Sequence, residues 1–153
     1  MIRTASLEQA QLAIIGAGCA GLSLARKLVR TEKTSSIKAC LYGPVSTAAT
    51  NRHSWGFWAT QGLKEQTELA RQRWHKWQII TAERKITQTA DSHPYCRLDS
   101  RDWLTHCLNV IDGNIQQEPY SLPTPGTQPV FDSRPPNVPN GAMLQHFKGV
   151  EIK

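Results

Sequence analysis

The chain is poor in the features that mark several protein classes. Among its 153 residues no run approaches the ~18 consecutive apolar residues that a spanning helix needs, so no segment reads as a membrane span. Cysteine is sparse and irregular: Cys19, Cys40, Cys96 and Cys107 form no C-x-x-C pair, which argues against a metal site or a disulfide framework and for reduced thiols in a cytosol. Long runs of one charge are missing too. The formal net charge of +6 is scattered over Arg26, Lys27 and Arg30 on one helix face and Arg71, Arg73 and Lys76 near the middle. That pattern offers no nucleic-acid tail; it reads as a solvated basic surface, with weak adhesion to an anionic bilayer as its functional alternative. The apolar stretch from Ala13 to Ala25 is broken by three glycines and has Gly16 three residues before Cys19, so it reads as fold rather than as a signal or lipid-anchor segment.

What is present is a glycine turn in the right setting. Leu12 to Ile15 is a short apolar run of the kind buried in parallel sheets, and Gly16-x-Gly18-x-x-Gly21 follows at once. Gly16 permits the tight turn off the strand, Gly18 lets backbone approach a pyrophosphate, and Gly21 lets the next helix pack closely on the sheet. Leu22, Ala25, Leu28 and Val29 form one apolar stripe at helical spacing. The anion would sit on the helix N-terminus, where N–H groups and the dipole favour it. The bland alternative is a tight strand-to-helix joint. Cys19 lies in the turn, where a helix N-terminus can activate a thiol, although a small packing residue is its simpler role. A second strand is expected over residues 37–42. It ends in Tyr42-Gly43-Pro44, without the carboxylate that such folds place there for the adenosine ribose.

The length suits one domain with a modest core and is short for a complete flavoenzyme. A loop of small and polar residues runs from Val45 to Arg52, followed by the aromatic cluster His53-Ser-Trp-Gly-Phe-Trp58, which is either a piece of core or the wall of an apolar pocket. A helix with a thin apolar face is expected between Leu63 and Trp74. A hairpin is expected over 77–81 and 85–89, a strand over 95–98, and a helix capped by Asp99 or Ser100 running through Asn109 with Trp103, Leu104, Cys107 and Leu108 inward. From Asp112 onward prolines and glycines crowd the chain, so regular structure is expected only over 129–132, with Met143 to Lys153 as a strand lacking a partner. The expected organisation is a dinucleotide-binding unit with the aromatic motif over 10–60, a partial cap region over 61–110, and a proline-rich segment over 111–153.

Five segments in order carry a resemblance: the turn with Cys19-Ala-Gly-Leu-Ser-Leu24, then His53 to Trp58, Pro94-Tyr-Cys-Arg-Leu-Asp-Ser100, Val130-Phe-Asp-Ser-Arg-Pro-Pro136, and Leu144-Gln-His-Phe-Lys-Gly149. Together they resemble successive motifs of bacterial lycopene beta-cyclases. The resemblance implies an α/β fold, a Rossmann-like FAD-binding βαβ unit with a partial β-rich substrate region. It implies cyclisation of lycopene ends to beta-rings, with FAD required in its reduced form and no net redox change, in the class of the intramolecular lyases. By the same resemblance Gly16, Gly18, Gly21 and Asp132 contact FAD, and His53, Trp55, Phe57 and Trp58 lie beside the flavin and polyene pocket. No metal and no nucleic acid are implied. The substrate, lycopene in the membrane, implies a cytoplasmic protein with peripheral contact at the inner face of the bilayer.

Against the family pattern, the Phe-Leu-Glu-Glu-Thr-like acidic motif that supplies the catalytic carboxylate is missing, Glu118 and Glu151 stand in other contexts, and Val150 replaces the usual Trp. The expectation is therefore an N-terminal portion of a cyclase without a catalytic residue of its own. A non-catalytic dinucleotide-binding module and a nonfunctional remnant remain as alternatives.

Overall fold

The computed structural model describes residues 10–34, 36–44, 53–118, 121–126 and 128–134. Strand β1 (Leu12–Ile15) runs into the glycine turn and helix α1 (Cys19–Arg30), and β2 (Ala39–Tyr42) returns parallel to β1 with Leu12 opposite Ala39 and Ile15 opposite Tyr42. Two further strands complete a parallel sheet in the order β8-β2-β1-β9, where β8 is Gln116–Glu118 and β9 is Val130–Asp132. A central parallel strand is covered on both faces, which is why Leu-Ala-Ile-Ile is apolar without alternation. Helix α1 lays Gly21, Leu22, Ala25 and Leu28 inward and carries Lys27 and Arg30 in its last turn, where cations favour the dipole. β2 begins two residues later than the apolar pattern predicts, because the Ile37 N–H closes a turn onto the Thr34 carbonyl instead of joining the ladder.

The second layer is antiparallel. β7 (Tyr95–Asp99) is central between β3 (Ser54–Trp58) and β4 (Gln72–Trp74). Between β3 and β4 the predicted long helix shrinks to a 3-10 turn, Gln61–Leu63, and one short helix, α2 (Lys64–Glu68). With so few apolar residues to bury, a longer helix gains little from packing. The chain instead joins β7, and the Arg71 N–H donates to the Arg97 carbonyl oxygen. The hairpin of β5 (Lys76–Ile80) and β6 (Lys85–Thr89) forms as predicted, with Ile79 opposite Ile86, and pairs as a separate two-stranded sheet.

Helix α3 (Ser100–Ile111) follows β7 directly. Its Trp103, Leu104, Cys107 and Ile111 meet Ile14, Leu22, Ala25 and Leu41 in the main core. Asp99 is its N-cap residue but makes no side-chain cap bond; its carboxylate accepts from Arg97 and Ser54 instead.

Strand β8 is a correction to the expectation of irregular chain between Asp112 and Pro129. Gln-Gln-Glu has no strand signature of its own. A turn at Gly113, with φ of 69°, brings these residues to the open edge of β2, where they pair in register with Cys40, Leu41 and Tyr42. The Val45–Arg52 loop, the segment 143–153 with the motif at Leu144–Gly149, and Pro135, Pro136 and Pro139 lie outside the described residues.

Candidate functional site

All four strands of the parallel sheet run the same way, so their carboxyl ends gather on one edge, where open α/β sheets bind ligands. The glycine turn occupies that edge. Gly16 has φ of 98°, which an L side chain rarely adopts, and a Cβ there would come within 2.5 Å of the Ser133 Oγ. A Cβ on Gly21 would collide with the Gly16 carbonyl oxygen, so this glycine sets the close approach of α1 to the turn. At Gly18 a Cβ would meet nothing within 4 Å. The backbone is open to the outside at that point, and Gly18, Cys19 and Ala20 are exposed.

The start of α1 suits an anion. Gly18 is the N-cap and supplies no side-chain acceptor, and no acidic residue stands in the first turn to compete. The Gly16 N–H donates to the Tyr42 carbonyl (2.8 Å) and the Gly43 N–H to the Glu118 carbonyl (3.1 Å), tying the turn to the tips of β2 and β8. On the other side the Ser133 N–H donates to the Ile15 carbonyl (2.8 Å), while its hydroxyl lies 2.8 and 3.1 Å from the carbonyl oxygens of Ile15 and Gly16. Asp132 stands at the tip of β9, opposite Ile15. Hydrogen bonds from the Arg134 guanidinium and backbone N–H hold its carboxyl down at about 2, so it is an ionised acceptor at any working pH. Gly16, Gly18, Gly21 and Asp132 thus share one edge of the sheet.

The aromatic quartet is not gathered in the same way. β3 alternates, and Trp55 and Phe57 are half-buried against the core while Trp58 points to the opposite face. There it meets Trp77 (5.6 Å) and Tyr95 (5.0 Å) edge-on and stays 43% exposed. His53 is exposed just before the strand; its backbone N–H donates to the Ser100 Oγ (3.0 Å) and its carbonyl accepts the Ser100 N–H (2.8 Å). Separately, a cavity of about 390 Å³ opens between the 3-10 turn, α2 and the entry to β7, with Lys64, Arg73, His75 and His93 on its wall. None of the cofactor- or pocket-residues expected from the sequence lines it, although Arg73 of the basic pattern and Pro94 of the third motif do.

Cys19 is exposed at the turn, and partial desolvation holds its thiol above the usual range, against a hydrogen bond with Ser23. The structure also assigns a role that the basic pattern of α1 hid. Arg26 is buried, not solvated: it pairs with Glu65 of α2 and lies over the Trp103 ring at 5.1 Å. His106 Nε2 is 3.0 Å from the same Glu65 carboxylate, and the Trp103 indole N–H donates to Ser23 Oγ (2.9 Å). Desolvation works to raise the Glu65 pKa, but the hydrogen bonds of Arg26 and His106 and the charges of Arg26 and Arg30 together outweigh it, and the carboxyl lies below its ordinary value. The one sequence clue was that Arg26 adjoins the apolar stripe at Ala25.

Residues 11–112 match the family model described as lycopene cyclase protein. The chain belongs to the lycopene cyclase family. No curated protein matches it. Among solved structures, the tetrameric form of 2-methyl-3-hydroxypyridine-5-carboxylic acid oxygenase is similar over 72% of this chain and 31% of its own, with 13% identity and a TM-score of 0.52. This likeness shows the fold: the α/β arrangement of a parallel β1-α1-β2 sheet with an antiparallel region. A protein of Photorhabdus luminescens subsp. laumondii TTO1, described as an FAD-containing monooxygenase, is similar over 71% of this chain and 30% of its own, with 20% identity and a TM-score of 0.42. This lycopene cyclase family member therefore spans about a third of the length of these solved proteins. Among its described residues no helix is long and apolar enough to cross a membrane.

Proposed function

We propose that this chain carries the FAD-binding part of a lycopene beta-cyclase-type flavoprotein, which cyclises the ends of lycopene to beta-rings without net redox change. The observation that carries the cofactor reading is the open backbone at Gly18 on an uncapped helix start, in a chain of this family. In this reading the free N–H groups at the start of α1 hold the pyrophosphate. Gly16 and Gly21 keep that helix start against the sheet edge. Asp132, kept ionised by Arg134, accepts hydrogen bonds from the cofactor at the next strand tip. Bound in its reduced form, FAD supplies negative charge that stabilises a cationic polyene. Of the aromatic motif, Trp55 and Phe57 share one face of β3 and offer apolar surface that keeps water from the polyene, while Trp58 on the opposite face and the exposed His53 do not join that surface.

Protonation of the terminal double bond requires a carboxylic acid, and a general acid needs a raised pKa to hold its proton near neutral pH. Among the described residues the carboxyl groups with a shifted pKa are Glu65 and Asp132, and both are lowered. The Phe-Leu-Glu-Glu-Thr-like motif expected to supply the acid is not in this sequence, and in this reading neither Glu65 nor Asp132 takes its place. Lycopene resides in the bilayer, so the site works at the membrane surface, where the net charge of +6 favours anionic lipid.

Titration of FAD fluorescence with the full chain tests the cofactor reading, with Gly18→Val as the control. Saturable binding is expected in the wild type. The valine side chain enters open space, so the fold should survive while affinity falls by roughly two orders of magnitude, as several hydrogen bonds to phosphate are lost. Equal binding by both proteins would sink the reading.

A further inference from the structure

The second strand of this sheet ends without an acid, and the structure offers a substitute that the sequence does not. Glu118 is the last residue of β8 and lies in register with Tyr42, the last residue of β2. Parallel partners in register project to the same side, so the Glu118 side chain stands beside the tip where a dinucleotide fold usually keeps its carboxylate. Backbone hydrogen bonds fix this tip to the glycine turn in two steps, Gly16 N–H to the Tyr42 carbonyl and Gly43 N–H to the Glu118 carbonyl. Gly43 itself packs on the turn: a Cβ there would lie 3.6 Å from the Ala17 nitrogen.

The carboxylate is already oriented. Its Oε1 accepts from the Gln116 amide (3.0 Å) and its Oε2 from the Ser121 hydroxyl (3.3 Å), which leaves each oxygen a further lone pair for another donor. Glu118 is only partly buried, so a ligand can reach it.

We infer that Glu118, from the strand next to the second, binds the hydroxyls of the adenosine ribose in place of the missing β2 carboxylate. This assignment rests on the FAD reading above. Glutamate suits the longer reach from one strand further out, and its charge makes the hydrogen bonds to the hydroxyls stronger than neutral ones.

The test compares wild type, Glu118→Gln and Gly18→Val by FAD fluorescence titration, and by competition with ADP and 2′-deoxy-ADP. Glu118→Gln keeps the shape and the Ser121 contact but removes the charge; unchanged circular dichroism establishes that its fold is retained. The expected result is FAD binding weakened roughly tenfold to a hundredfold. The wild type is expected to prefer ADP over 2′-deoxy-ADP, and that preference should collapse in Glu118→Gln, a change that a merely structural role would not produce. Wild-type binding that Gly18→Val abolishes and Glu118→Gln leaves intact, with its ribose preference, overturns the Glu118 assignment and leaves the flavin reading standing. No saturable binding by the wild type overturns both.

Discussion

At the scale of single residues, neighbouring positions in the turn have opposite duties. Gly21 has no room for a side chain and Gly18 has nothing around it, although the sequence presents them as equal members of one motif. Cys19, next to Gly18, is the exposed member of the four cysteines; Cys40, Cys96 and Cys107 are buried, and burial pushes the Cys107 thiol up to about 12. A disulfide reagent should therefore modify one thiol quickly in the native chain and three only on unfolding. Because the thiolate is the nucleophile and the Cys19 pKa is raised, its rate should climb as pH rises towards and past 9. Saturating FAD should slow that one reaction if the pyrophosphate lies on the start of α1. Two fast thiols, or no protection by FAD, would contradict this placement.

At the scale of elements, α1, α2 and α3 are joined by one carboxylate. Glu65 receives Arg26 and Arg30 from α1 and His106 from α3, and Arg26 has no route to water that would replace it. Removing Glu65 by mutation to Ala leaves a buried cation unpaired and should destabilise the fold by about 2 kcal/mol, below the usual cost of breaking a buried pair because Glu65 is a third exposed. The folded pKa of Glu65 is depressed, so the unfolded chain binds its proton first. The stability it contributes is present above its ordinary value of 4.5 and is lost as pH falls through the lower folded value. Thermal midpoints measured from pH 3 to 6 should fall more steeply with acid in the wild type than in Glu65→Gln. Parallel curves would show that the pair carries no linkage. β3 shows the same dependence on context: its alternation divides Trp55 and Phe57 from Trp58, which a run of aromatic letters does not reveal until the pleat and the pairing with β7 are known.

At the scale of the whole molecule, burial concentrates in β1, β2, β7, α1 and α3, while the edge strand β9 and the β5-β6 hairpin are exposed. The hairpin β5-β6 is a separate ribbon with Ile79, Ile80 and Ile86 exposed, and two-stranded sheets have little stability of their own. The carboxyl groups whose pKa moves are both lowered, Glu65 against its desolvation by Arg26, His106 and Arg30, and Asp132 by Arg134. With the family's acidic motif missing from this sequence, lycopene supplied in vesicles with reduced FAD should be recovered unchanged from this chain, as read by chromatography of the extracted carotenoids. Appearance of a beta-ring product would overturn the expectation that this chain has no catalytic acid of its own.

Local periodicity and glycine chemistry were enough to locate β1, the turn, α1, the hairpin and α3, because each is written within a few consecutive residues: an unbroken apolar run, a spacing, a stripe, an alternation. The lycopene cyclase family was legible from the order of its short motifs. Tertiary structure alone decided the rest. Gln116–Glu118 became a strand because β2 had an open edge to pair with. Residues 64–74 divided between a short helix and a strand because β7 recruited the second part. Arg26 went inside because Glu65 and Trp103 come from elsewhere in the chain to meet it. Glu118 reached the tip of β2 from 76 residues away in sequence by register. Pairings of this kind depend on which chain segments arrive at the same place, and no window of sequence contains that information.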